Sequence, residues 1–102
     1  MSDIRQLQKA VVSRILEGTG KALPSERRAA FNNSGLGEPL GALVDKVARH
    51  AHRVTDDDIN AAKVSGLSED QIFEIVVCAA IGQATRQYGA ALAAFKAATG
   101  KE

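Results

Sequence analysis

The side chains able to do chemistry in this 102-residue chain fall in a few places. The one cysteine, Cys78, stands inside the apolar run from Ile75 to Gly82. Burial there raises a thiol's pKa and leaves it inert, so Cys78 reads as a small core residue. A reactive thiol needs a nearby base, and only the fold could bring His50 or His52 to it. Those two form His-x-His, but residues two apart on a helix point about 200° apart and cannot share a metal ion. If the helix has frayed by His52, the pair could converge with Asp56 or Asp58 on a cation. A helix-terminal histidine in contact with the dipole is the commoner arrangement. Asp56, Asp57 and Asp58 follow Thr55, and first-turn carboxylates behind a capping hydroxyl have a structural task.

Glu74 and Arg86 lie on one predicted helix, twelve positions apart, which separates them by roughly 18 Å. They cannot pair along it, so each looks to another segment, where Arg49 and Arg53 are available to Glu74. Arg86 sits between Gly82 and Gly89 and reads first as a buried, paired arginine at a subunit contact, second as a ligand-binding one. Gln83 and Tyr88 on the same helix could line a cleft but specify no reaction. The catalytic candidates are therefore His50, His52, Glu74, Arg86 and Cys78. No phosphate-binding glycine loop, nucleophile elbow or zinc motif accompanies them, and no cofactor or metal is implied.

The elements that must position these groups are helices. Ile4, Leu7, Val11 and Ile15 step by three and four behind Ser2, a capping residue, and Gly18 and Gly20 end that helix at 3–17. Pro24-Ser25-Glu26 opens a short helix, 25–31, with Ser25 as its cap. Asn32 to Gly37 is a turn. Pro39 suits the first turn of a third helix, 39–51, striped by Leu40, Leu43, Val44, Val47 and Ala51. The pattern breaks at His52-Arg53-Val54. Thr55 then starts a helix at 56–65, which Gly66 stops. Ser68-Glu69-Asp70-Gln71 is a capping box that opens a last helix, 69–98, uninterrupted by proline. Its bulky face carries Ile72, Phe73, Val76, Val77, Ala80, Ala84, Ala91 and Phe95. Ala79, Gly82, Gly89 and Ala93 make a flatter face, suited either to a tight crossing within the chain or to a subunit interface.

Composition agrees with an all-α domain of five or six helices. Hydrophobic residues make up 45% and aromatic ones only 4%, with no Trp, which favours closely packed helices. A net charge of +1 argues against a nucleic-acid partner. The charge is uneven: Met1 to Ala30 carries +3 and Thr55 to Glu74 carries −5, which suits complementary packing within or between subunits. One cysteine excludes an internal disulfide and fits a reducing cytoplasm. No signal peptide is visible, and the longest apolar run is far short of the roughly 20 residues of a membrane helix. The expectation is a soluble, cytoplasmic protein.

One segment has a familiar form. Ala51-His52-Arg53-Val54-Thr55-Asp56-Asp57-Asp58-Ile59, followed by Gly66-Leu67-Ser68-Glu69-Asp70-Gln71-Ile72, resembles the alkylhydroperoxidase D-like (carboxymuconolactone decarboxylase-like) family. Arg86 in Ala84-Thr85-Arg86-Gln87-Tyr88 matches an arginine near the middle of the family's following helix. The resemblance covers about half of the chain and implies a compact helical domain that assembles as dimers, trimers or larger rings. Peroxidase members carry Cys-x-x-Cys-x-x-x-His, which would fall on Ala51, Val54 and Asp58. None of the three residues is retained. That chemistry needs a low-pKa thiolate and a resolving thiol, which alanine and valine cannot supply. The resemblance thus implies a cysteine-less member acting as a homo-oligomeric assembly or binding domain. The decarboxylase-like branch also lacks the cysteine pair. The alternative is therefore an enzyme or small-molecule binder of that branch, using His50 or His52, Arg86 and Glu74.

Overall fold

Polar side chains close to the helix starts hold the last four helices. The computed structural model describes residues 2–100, with side chains described from residue 6 onward. It contains α1 (Ser2–Glu17), α2 (Pro24–Asn32), α3 (Leu40–His50), α4 (Asp56–Val64) and α5 (Glu69–Thr99), with no strand among the described residues. Helix ends differ by at most one residue from the spans that caps and spacing predict.

The caps explain the boundaries. Thr55 Oγ1 accepts from Asp58 N–H while the Asp58 carboxylate accepts from Thr55 N–H at 2.9 Å, a reciprocal box that starts α4. Ser68 and Gln71 do the same for α5, at 3.1 and 2.8 Å. Two expected starts shift. α2 begins at Pro24 rather than behind Ser25, with Leu23 as the cap residue and the Glu26 carboxylate accepting from Leu23 N–H. Proline has no N–H to satisfy, so it occupies the first position and leaves Ser25 inside the helix. Pro39 stands just before α3 rather than within it, and Glu38 accepts from Ala42 N–H. The cap expected of Ser2 lies outside the described side chains. Between α3 and α4, Ala51–Arg53 form one 3₁₀ turn.

The core forms where α2, α3 and α4 meet the first half of α5. Ala30, Leu40, Leu43, Val44, Ala62, Ile72, Ile75, Cys78 and Ala79 are buried together. The buried stripe of α5 runs Ile72, Ile75, Cys78, Ala79, Gly82, at helical spacing. This corrects the expected bulky face: Phe73 and Phe95 are 68% and 62% exposed. α2 crosses α5 so closely that only small residues fit between them. A Cβ on Gly82 would overlap the Phe31 carbonyl oxygen, so this glycine marks a tight intrachain crossing. No neighbour lies near Gly89, which has no part in that crossing.

Beyond Gly82 α5 leaves the buried core, with α1 alongside it as far as Leu92. Its 31 residues make it roughly 46 Å long, close to the 51 Å of the whole chain's longest dimension. None of the described helices is long and apolar enough to cross a membrane.

The two glycines should respond oppositely to a methyl group. Gly82→Ala is expected to lose at least about 3 kcal/mol, because the clash is with backbone and cannot relax by a rotamer change. Gly89→Ala is expected to gain about 1 kcal/mol, the ordinary helix-propensity difference. Urea unfolding of the two variants beside the parent chain measures both.

Candidate functional site

Of the polar residues that sequence brings forward, Asp58 and Arg86 serve helix ends and Glu74 holds a loop. Arg27, which spacing did not single out, is the one buried charged residue described, at 5% exposure. It lies three residues before buried Ala30, so the stripe of α2 turns it inward. Its Nη1 donates to the carbonyls of Ile15 (3.1 Å) and Gly18 (2.8 Å), at the C-terminal end of α1, where a positive charge meets the negative pole of the helix. Its Nε is buried without a partner. The signal that could have found it is an arginine at the core-facing position of a short amphipathic helix.

Glu74 completes this junction from α5. Its carboxylate accepts from Lys21 N–H at 2.9 Å and from Ala22 N–H at 2.8 Å, pinning the loop that joins α1 to α2. Those backbone hydrogen bonds, with Arg27 and Lys21 nearby, hold the Glu74 carboxyl below the usual glutamate range. It therefore meets this loop, with the Arg27 charge nearby, and not Arg49 or Arg53. Of all the acids between Thr55 and Glu74, it is the one hydrogen-bonded to the basic N-terminal part of the chain.

Cys78 closes the junction from below. Its Sγ lies 3.8 Å from the Ile15 carbonyl, and burial pushes the thiol up, outweighing the lowering effect of Arg27. A cleft of about 190 Å³ reaches this point, lined in part by Arg14, Thr19, Arg27, Glu74 and Cys78. It places a thiol of raised pKa beside a carboxylate of lowered pKa that already accepts three backbone hydrogen bonds. A low-pKa carboxylate is a poor base, so this arrangement does not favour a thiolate.

The remaining candidates are dispersed. Arg86 is exposed, not buried: its Nη1 donates to the Phe31 carbonyl at 2.6 Å and its Nη2 to Gln83 Oε1 at 3.0 Å. It has no carboxylate partner among the described residues, and it satisfies the end of α2 much as Arg27 satisfies the end of α1. Gln83 and Arg86 share a polar hollow with Asn32, Asn33 and Arg49, while Arg49 pairs with Asp45 at 3.0 Å. His50 and His52 are both exposed, their rings edge-to-face with centroids 6.3 Å apart. Asp58 pairs with Lys46 at 2.9 Å, which together with its bonds to Thr55 holds it below the usual aspartate range. Among the described residues, no three His, Cys, Asp or Glu side chains gather as metal ligands would. His50, His52, Glu74 and Arg86 do not share a cleft.

Two further concave surfaces are apolar. α1 rests lightly on α5 and leaves a groove along each side, of about 460 Å³ apiece. One is lined by Leu7, Val11, Val12, Ile81, Ala84 and Tyr88 among others; the second adds Leu16 and Leu92, with Lys9 and Glu17 at its rim. α1 has no fully buried side chain among those described, and Leu7 and Val11 are 67% and 50% exposed. Comparison of the chain with protein-family models, with curated proteins and with solved structures finds no match.

The junction makes a pH-dependent prediction. A carboxylate whose folded pKa is depressed adds stability above its unfolded pKa, and that contribution disappears as pH falls through the folded value. Glu74→Ala is therefore expected to lose about 1 kcal/mol at pH 7, mostly through the stranded, partly buried Ala22 amide. The gap from the parent chain should narrow as pH falls below 4.5, the ordinary glutamate value. Urea unfolding across that range measures it, and a gap constant down to pH 3 would contradict the assignment.

Proposed function

We propose that this chain is a non-catalytic helical assembly or binding domain, a cysteine-less relative of the alkylhydroperoxidase D-like family that acts by associating with other protein chains. The observation that carries the reading is the uncovered apolar surface of α1 and of the second half of α5. From Ala84 to Thr99 the chain has only two charged residues, Arg86 and Lys96, and nearly every side chain there is exposed. A helix this apolar, extending from the body without a core of its own, is ordinarily packed against another surface.

The polar groups support the same reading from the other side. Ala51 and Val54, where the family's cysteines would fall, are part of or next to the 3₁₀ turn, and Asp58 is engaged with Lys46 and Thr55. Glu74, Arg27 and Arg86 hold helix ends and a loop. A buried thiol of raised pKa fits a reducing, cytoplasmic setting and needs no redox role.

Size-exclusion chromatography with light scattering tests the proposal. At tens of micromolar the expected mass is an integral multiple, two or more, of the 10.7 kDa chain. A single 10.7 kDa species at that concentration overturns the assembly reading.

A further inference from the structure

The exposed half of α5 carries a pattern that specifies what covers it. Val77, Ile81, Ala84, Tyr88, Ala91, Phe95 and Ala98 recur at alternating intervals of four and three. That is the seam of a coiled coil, and it continues for more than two heptads after the chain's own core ends at Gly82. Ala84, Tyr88, Ala91, Phe95 and Ala98 on it are all exposed.

Along this seam, size alternates. Ile81, Tyr88 and Phe95 stand at every seventh position, and Ala84, Ala91 and Ala98 follow each by three. A helix of this kind is its own complement when a second copy lies antiparallel. With a two-fold axis between Gly89 and Ala90, Tyr88 falls opposite Ala91 of the second copy. In the same register Phe95 falls opposite Ala84 and Ile81 opposite Ala98, so every layer pairs one large residue with one alanine. A parallel pair would instead stack like on like, with crowded layers alternating with voids.

The rest of the surface fits that register. The groove lined by Leu7, Val11, Ile81, Ala84 and Tyr88 lies over the seam. The axis delivers Phe95 of the second copy to Ala84, and so into that groove, where α1 supplies the far wall. Arg86, two positions before Tyr88, points about 200° away and is already held to the Phe31 carbonyl. Lys96 sits about 100° off Phe95. Closing the seam therefore buries neither charge, which an ion without a partner would oppose. Gly89 takes an outer position and is not crowded.

We infer that α5 forms a two-fold antiparallel contact with α5 of a second copy, Phe95 of each filling the α1–α5 groove of the other. The inference rests on the assembly reading above and gives it a partner and a register.

Exchanging the sizes of one layer tests it. Ala84→Phe sets two phenyl rings against each other, and Phe95→Ala leaves two alanines facing a void. Both positions are exposed in the single chain, so thermal melting of dilute protein should show all variants folded. In analytical ultracentrifugation each single variant is expected to weaken association by about tenfold or more, and the double variant to return within about threefold of the parent chain. A monomeric parent chain overturns both this contact and the assembly reading. An assembly that is odd-numbered, or indifferent to the single changes, or not recovered in the double variant, overturns this contact while leaving the assembly reading standing.

Discussion

The structure depends on one close passage, that of α2 over α5 at Gly82. With backbone against a helix that has no side chain at that point, Ala30 and Ala79 are both fully buried in one core. The same placement fixes where α2 delivers its inward-facing arginine. Arg27 lands on the end of α1, and Glu74, two turns before Gly82, meets the loop between α1 and α2. A methyl group at the crossing would disturb more than one contact, because the polar junction is positioned by the apolar one.

This arrangement leaves the chain with an uneven division of labour. Its ionisable groups close helix ends: Arg27 and Arg86 answer carbonyls, and Asp58 and Glu74 answer amides. Each is engaged with backbone in the folded chain, although Arg27 also keeps a buried Nε without a partner. The apolar side chains divide differently. Half of α5 builds the core and Ile15 and Leu16 of α1 pack against it, while Leu7, Val11 and most of the other half of α5 stay on the surface.

The helices were legible in the sequence because their ends are written in local chemistry. Thr55 with Asp58 and Ser68 with Gln71 satisfy amides within four residues, so no tertiary knowledge is needed. The buried face of α5 was not legible by bulk. Phe73 and Phe95 look like core residues, yet the face that α2 can approach is the one with Ala79 and Gly82. Closeness of approach, not side-chain size, selected it. Arg27 was missed because charge normally signals exposure, although its spacing from Ala30 placed it inward. Arg86 was expected to be buried, but the carbonyl it serves lies at the rim of the domain. The large–small alternation of Ile81, Ala84, Tyr88, Ala91, Phe95 and Ala98 is present in the sequence. Its meaning emerges only once the core is seen to stop at Gly82.

The proposed contact divides α5 into two halves, one ordered by its own chain and one by another copy. Amide hydrogen exchange followed against protein concentration measures this directly. The amides from Ile72 to Gly82 are expected to be protected at every concentration, whereas protection from Ala84 to Ala98 is expected to rise as concentration rises. Exchange from Ala84 to Ala98 that is unchanged by concentration, across a range spanning dilute to tens of micromolar, would contradict the contact.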